Sequence, residues 1–497
     1  MTITLLRVLL LFLVMTSAAS SAAAESFYVD ALTGNDANSG RSPDQSWQSL
    51  ARVNSVVFKP GDVVSFRSGQ QWIGSLIPHG SGSPGQIITF QAYGRGSRPR
   101  IVGNNQNEQI VKLSNVEFIT LQELELMCPH AGACAAQRGV EVVLDGFGVA
   151  HRIRLRDLYV HDIRGSLVYK NTGGIVVRTL KGSRPSRYDG LEIAGNIVTH
   201  VDRSGIVFDS AFTDRTNWFP STGVRIGENY LEDIGGDGIV PWASSHAIVE
   251  WNVLRGAGMR SHDYNAGIWP WSSDDTKLRW NDVSGMGTTK DGQGFDSDFN
   301  SKDTLFEKNY SHDNQGGMML ICNPGDYDPR ISAGNTGTRV IRNVSHGDKQ
   351  RVFNISGGAD ILIRDNLVIK SENNPSQLVI FTNWNGWADQ VRIVHNRFLI
   401  RGEVTSGHEV IRKDDGTYLI APGWGGATGV LMEGNSYPVD AKVSHAEEHH
   451  DTGHWDGLES LDWQGPTFRP DQGDSLPVFM QKHRKWLLTL FRRANVD

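Results

Sequence analysis

The stretch "AIVEWN" at residues 247–252 returns in pattern as "TKLRWN" at 276–281, and reading this pair decides the fold. Each is a short alternating strand that ends at an asparagine. The motif recurs as "LEIAGN" (to Asn196), "VRIGEN" (Asn229), "LFEKN" (Asn309), "TRVIRN" (Asn343), "ILIRDN" (Asn366), "VRIVHN" (Asn396) and "VLMEGN" (Asn435). Successive asparagines lie 23 to 39 residues apart; the short intervals match one solenoid coil and the long ones leave room for loops. No two-residue Asn-Gly turns join these strands, so they stack as parallel neighbours on successive coils. The asparagines read as corners, where Asn tolerates left-handed backbone and can bond its counterpart in the next coil.

A few residues after most of these asparagines a glycine opens a second strand: "GGIVVR", "SGIVFD", "DGIVPW", "AGIWPW", "QGFDSD" and "GGMMLI". Counted from the glycine, the first position is apolar throughout: Ile175, Ile206, Ile239, Ile268, Phe295, Met318. That column must face the core, and strand alternation then turns two others outward. One reads Val176, Val207, Val240, Trp269, Asp296, Met319; the other reads Arg178, Asp209, Trp242, Trp271, Asp298, Ile321.

The chain has 497 residues, 39% of them hydrophobic and 21% charged, and a net charge of −7 that argues against nucleic acid as a partner. Its 55 glycines signal many turns. Length alone suggests about three domains, but a solenoid grows without dividing its core. Residues 1–24 read as a signal peptide: Arg7, an apolar run from Val8 to Met15, then small residues to Ala24. The mature chain then has no membrane span and is secreted or periplasmic. Residues 25–109 are expected to form an N-terminal cap and first coils, 110–437 the β-helix with loop insertions, and 438–497 a C-terminal cap. Trp47, Leu50, Val53 and Val57 share one face of a short helix, and "FMQKHRKWLLTLFRR" is a second helix. The cluster His445, His449, His450 and His454 reads as a solvated loop. Cys128 and Cys134 are close enough to bridge, and Cys322 reads as a buried apolar residue.

The segments "FYVDALTGNDANSGRSPDQSWQSL" and "KPGDVVSFRSG", together with the coil pattern, resemble the pectin-lyase-like superfamily. The resemblance implies an all-β, single-stranded right-handed parallel β-helix, with helical end caps, over nearly the whole mature chain. It also implies a carbohydrate-active protein: a polysaccharide lyase, glycoside hydrolase or uronate epimerase.

The outward columns narrow the chemistry. Asp296 and Asp298 sit about 6.5–7 Å apart along a strand, and Trp269 and Trp271 occupy the next coil, about 4.8 Å away. Trp242 is one coil further, and Arg178 and Asp209 extend the same face. Indole faces stack on pyranose C–H faces while carboxylates orient or cleave, so these residues predict a cleft for a polysaccharide or oligosaccharide. As a hydrolase pair, one Asp protonates the leaving oxygen and the other is base or nucleophile. As a lyase or epimerase site, the pair holds Ca²⁺ on a uronate, with Lys290, Lys302 or His312 as base. His312-Asp313 and His262-Asp263 have the composition of proton relays or of turn caps. Asp237 and Asp263 are candidate third carboxylates. The Asp-Pro-His motif of alginate epimerases and the arginine-rich motif of pectate lyases have no match, which favours the hydrolase, with Asp296, Asp298 and His312 as candidate catalytic groups. A non-catalytic polysaccharide-binding solenoid is the remaining alternative.

Overall fold

The computed structural model of the chain describes residues 23–496 apart from 129–133, 324–331, 371–375, 383–387, 401–403, 409–410, 413–417, 420–426, 438–457 and 459. Most of the leader and all four clustered histidines lie outside the described residues.

Strands pair in parallel, coil on coil. The strands before the asparagines join a 16-stranded sheet in which Arg225–Gly227, Ile248–Glu250, Lys277–Arg279 and Leu305–Glu307 are successive neighbours. The strands after them join a 12-stranded sheet through Tyr230–Ile234, Val253–Arg255, Asp282–Ser284 and Tyr310–His312. The glycine-led strands form a third face, split into two five-stranded sheets. These three faces enclose one core, and Ile175, Ile206, Ile239, Ile268 and Phe295 form a ladder inside it. The chain is therefore an all-β parallel β-helix.

The asparagines hold the coils in register. Asn252 donates from Nδ2 to Ile226 O at 3.0 Å and to Asn281 Oδ1 at 2.9 Å, while its own backbone N–H reaches Asn281 Oδ1 at 3.1 Å. Asn281 makes the same set with Asn309, and the ladder runs from Asn196 to Asn435, every member buried. The corner itself is one residue earlier than the sequence suggests. Glu228, Trp251, Trp280, Lys308, Arg342, Asp365 and His395 carry the left-handed backbone, with φ between 55° and 61°. Left-handed backbone costs about 1–2 kcal/mol at such a residue. The asparagine that follows offsets this by satisfying backbone groups in two coils.

The two helices sit differently from expectation. Helix α1, Leu50–Asn54, buries Leu50 and Val53, with Trp47 buried just ahead of it, but Val57 is 72% exposed because the helix ends before it. Helix α2, Leu476–Arg493, does not close the end of the solenoid. It lies on the outer face of the 12-stranded sheet, where Phe479 and Met480 meet Ile197, Tyr230 and Val253, and Leu487, Leu490 and Phe491 meet Tyr310, Val344, Leu367 and Leu399. The corner residues Trp251 and Trp280 stack at 5.1 Å, and Arg484 and Phe491 of α2 pack on them. Among the described residues no helix is long and apolar enough to cross a membrane.

Beneath α2 sits Asp282, fully buried, held by Arg255 at 2.9 and 2.5 Å, His312 Nε2 at 3.2 Å and His483 Nε2 at 2.8 Å. The Arg255 guanidinium, with hydrogen bonds from both histidines, outweighs burial and holds this carboxyl far below the usual range. His312 also meets Asp313, its Nδ1 lying 2.9 Å from that carboxylate, so the His312-Asp313 pair forms part of this buried cluster.

The ladder makes a direct test possible. Replacing Asn281 by Ala orphans buried donors and acceptors in two neighbouring coils, each worth about 1–3 kcal/mol. Asn281→Ala should therefore lose at least about 2 kcal/mol in urea unfolding, whereas Asn105→Ala, at an exposed asparagine, should change nothing measurable. Equal midpoints for the two variants would rule out the ladder as the register-setting element.

Candidate active site

Register places the outward columns. Val176 pairs with Val207 and Val207 with Val240, and Ile239, Ile268 and Phe295 align through bridges, so Trp269 and Asp296 continue the same outward column. One coil departs from the count made from its glycine. Phe295 pairs with Met319, Asp296 with Leu320 and Ser297 with Ile321. Met319 and Ile321 therefore face the core, and Leu320 and Cys322 face outward beside the two aspartates. The slip arises because Gly316-Gly317 serves the turn: Gly317 has φ of 122°, and a Cβ there would lie 1.7 Å from the carbonyl oxygen of Arg351.

The third face breaks at this point. Pro241 and Pro270 have no N–H to donate, and the ladder between the two five-stranded sheets is reduced to isolated bridges. Above the break lies a cavity of about 450 Å³, within the usual range of about 300–1,000 Å³ for small-ligand sites. Asp291, Asp296, Asp298 and Cys322 line its floor, and Trp269, Tyr264, Phe299 and Lys170 its walls. The loops "RGAGMRSHDYN" and "SGMGTTKDGQ" supply Tyr264 and Asp291. Asp237 and Asp263 also border the cavity, as the sequence suggests.

A buried polar layer holds the walls. Asp237 is fully buried and accepts from Arg203 at 2.9 Å, Lys170 at 2.9 Å, the Trp269 indole N–H at 3.1 Å and the Ala266 N–H at 3.2 Å. With so many donors it is a scaffold carboxylate. Arg203, also fully buried, continues to Asp263 at 2.9 Å and to Asn265, which ties the Tyr264 loop to the coils. Lys170 donates to Tyr264 O at 2.9 Å and lies 4.9 Å over the Trp269 ring.

The three floor carboxyls differ. Asp296 is only 4% exposed; burial, then the negative charges of Asp298 and Asp291, push its carboxyl well up, so it stays protonated. Asp291 and Asp298 are half-buried and open to the cavity. Burial and then the Asp298 charge raise Asp291 to about 7. Burial raises Asp298 to about 6, against the Phe299 N–H at 2.7 Å, the Cys322 thiol at 3.2 Å and the Lys170 charge, all of which favour its anion. Cys322 Sγ also lies 3.8 Å from Asp296 Oδ1, and burial with these carboxylates pushes its thiol well up. Asp296, Asp298 and Cys322 bring three possible ligand atoms within 4.8 Å. Because the third is sulfur, the set suits calcium poorly, since that ion takes six to eight oxygens.

Other expected site residues fall elsewhere. His312 belongs to the 12-stranded sheet beneath α2, on a different face, and cannot meet a ligand in this cavity. Arg178 bridges Glu141 at 3.1 Å and Asp209 at 3.0 Å, and neither Arg178 nor Asp209 lines the cavity. The tryptophans do not form an open platform. Trp269 lines the cavity but is only 6% exposed, while Trp242 and Trp271 pack edge to face at 4.3 Å in an apolar cluster with Val207 and Val240. Cys128 and Cys134 are bridged, and Cys322 is free. Asp291, Lys170, Tyr264 and Phe299 escape the sequence reading because they lie outside the periodic columns.

No family model matches the chain. A lacto-N-biosidase of Bifidobacterium longum subsp. longum is 26% identical over 455 residues, spanning 71% of this chain and 28% of that protein. The chain thus covers well under a third of its curated relative. The crystal structure of the GH136 lacto-N-biosidase of Eubacterium ramulus, as the selenomethionine derivative, superposes with a TM-score of 0.63 at 25% identity, over 83% of this chain and 67% of that one. The native form of the same protein gives 0.62 at 24% identity. The resemblance to pectin-lyase-like, carbohydrate-active β-helices holds at the level of the fold.

The raised carboxyls have a consequence for stability. A group whose folded pKa exceeds its unfolded value stabilises fully below the unfolded pKa and loses that contribution as pH rises through the folded one. With an unfolded Asp near 3.8 and Asp291 near 7, native stability drains across that window. Asp296→Asn removes a buried carboxyl that ionises in the unfolded chain but is held protonated in the folded one, so its thermal midpoint should exceed that of the wild type at pH 8 and approach it at pH 4. A lower midpoint at pH 8 would contradict this electrostatic assignment.

Proposed function

We propose that the protein is an exported glycoside hydrolase that cleaves an oligosaccharide, with Asp291 as general acid and Asp298 as the ionised partner. The observation that carries the reading is a pair of half-buried carboxyls, Asp291 and Asp298, on the floor of one aromatic-walled cavity, both raised by burial. Two carboxyls held among different neighbours divide the acid and base roles. Asp291 holds its proton because burial and the Asp298 anion oppose its loss. Asp298 loses its proton first because the Phe299 N–H, the Cys322 thiol and Lys170 favour its anion. Asp296, the most buried of the three, is assigned a neutral supporting role, and Asp291 takes its place in the working pair with Asp298.

In the reaction the Asp291 proton goes to the glycosidic oxygen and the C1–O bond breaks. Asp298 faces the positive charge that develops at C1. Water supplies the hydroxyl that ends on C1, and the proton it loses returns to the carboxyl pair. Trp269, Tyr264 and Phe299 wall the sugar, and Lys170 holds the wall closed from the turn before Gly173. The two lacto-N-biosidases similar to this chain suggest a terminal lacto-N-bioside as the first substrate to test. Residues 1–24 support a place outside the cytoplasm.

The test is hydrolysis of 4-nitrophenyl lacto-N-bioside and of an oligosaccharide ending in lacto-N-bioside. Activity should peak between about pH 6 and 7, falling below as Asp298 takes up its proton and above as Asp291 loses its own. Asp291→Asn and Asp298→Asn should each lose on the order of 10²–10⁴ in kcat, with the Asp291 variant less impaired on the nitrophenyl substrate, whose leaving group needs less protonation. Asp296→Asn should lose less than about tenfold. If Asp296→Asn is the most impaired of the three and Asp291→Asn retains wild-type turnover, the assignment fails.

A further inference from the structure

A second cavity, of about 370 Å³, adjoins the first, and Tyr264 and Asp291 line both. The other two floor carboxyls, Asp296 and Asp298, line only the first. A general acid must stand between the sugar whose C1 reacts and the group that leaves, because it protonates the oxygen joining them. Resting on the glycosidase reading above, we infer that the second cavity is the leaving-group subsite. The oligosaccharide then lies along the solenoid, its non-reducing part over the Trp269 coil and its departing part over the coil of residues 351–356.

The lining joins groups suited to sugar hydroxyls, Asn354, Gln293 and Thr289, to the side chains of Lys290 and Arg351. Asn354 follows Asp296 and Leu320 in one outward column, two coils on, about 10 Å along the axis. It is only 2% exposed; its Oδ1 accepts from Thr382 at 3.0 Å, and its Nδ2 makes no hydrogen bond among the described residues. Gln293 lines the same cavity and donates to Gly316 O at 3.2 Å, while its Oε1 is buried without a partner. Buried amides left half-satisfied are costly unless something completes them, and sugar hydroxyls both donate and accept. Tyr264 is 59% exposed at the junction, the placement of a stacking surface between two rings. Thr289, on the exposed loop before Asp291, forms the rim.

The cavity can be probed by what leaves. A glycosyl fluoride places only a single atom in a leaving-group subsite, whereas an oligosaccharide places a ring there. Thr289→Trp plugs the rim from an exposed loop position, and Asn354→Ala removes the unpaired amide. The ratio of kcat/KM on an oligosaccharide ending in lacto-N-bioside to that on lacto-N-biosyl fluoride should fall at least tenfold in Thr289→Trp and about three- to tenfold in Asn354→Ala. Circular dichroism and the thermal midpoint separate a folding defect from the effect, since misfolding lowers both substrates together. A ratio within twofold of wild type in both variants, with the fold intact, overturns the subsite. If the wild type hydrolyses neither compound, the glycosidase reading itself has failed. An equal loss on both substrates assigns the cavity to the non-reducing side and overturns the polarity.

Discussion

Everything in this molecule is indexed by one buried interaction, the asparagine that spans adjacent coils. Each ladder amide donates backward to a carbonyl and forward to the next asparagine, and its oxygen accepts two N–H groups from the coil before it. A one-residue slip would orphan all of these at once in the core, where each lost bond costs about 1–3 kcal/mol. Register on the first two faces is therefore stiff. That stiffness is what allows Trp269 and Asp296, 27 residues apart in the chain, to be neighbours on the third face.

The candidate site works against this stability. Three carboxyls share one floor; Lys170 is the cation that lines it, and Arg351 acts on Asp291 from the adjoining cavity. The Lys170 charge is itself shared with Asp237, at 2.9 Å. Had an arginine lined the floor as well, its charge would favour ionisation of all three carboxyls and leave none to donate a proton at neutral pH. Arg203 is instead turned beneath the floor, its charge engaged by Asp237 and Asp263. The scaffold is neutralised so that the floor is not.

Legibility followed periodicity. The solenoid was readable because asparagine recurs coil after coil from Asn196 to Asn435, and Asp296 and Asp298 stood out because they interrupt apolar and aromatic columns. Asp291, Lys170 and Tyr264 sit in turns and loops with no period, so only the folded chain brings them together. Cys322 was hidden by the paired glycines, since counting from Gly317 shifts that coil by one residue and exchanges core for surface. His312 misled because a His-Asp pair looks alike on any face, and Asp282, the carboxylate it shares with Arg255 and His483, is brought to it only by the fold. Helix α2 was visible in composition, but its place on the flank depends on Trp251 and Trp280 at corners whose residue type the ladder leaves open.

Why the site lies on this face, and not on either of the other two, follows from what each face must do. The strands before the asparagines carry charged pairs such as Arg225 with Glu250 on their outer side, and the strands after them are covered by α2. Among the described residues the third face has no interlocking asparagine ladder to enforce regular pairing, and it is there that Pro241, Pro270 and the insertions carrying Tyr264 and Asp291 are accommodated. Where those prolines withdraw their N–H groups the sheet opens, and the loops carrying Tyr264 and Asp291 settle over the gap. A cavity with protonated carboxyls needs a place sheltered from water but not filled by ladder packing. In this chain the break between the two five-stranded sheets supplies it, and the ladder on the neighbouring faces keeps the break from spreading.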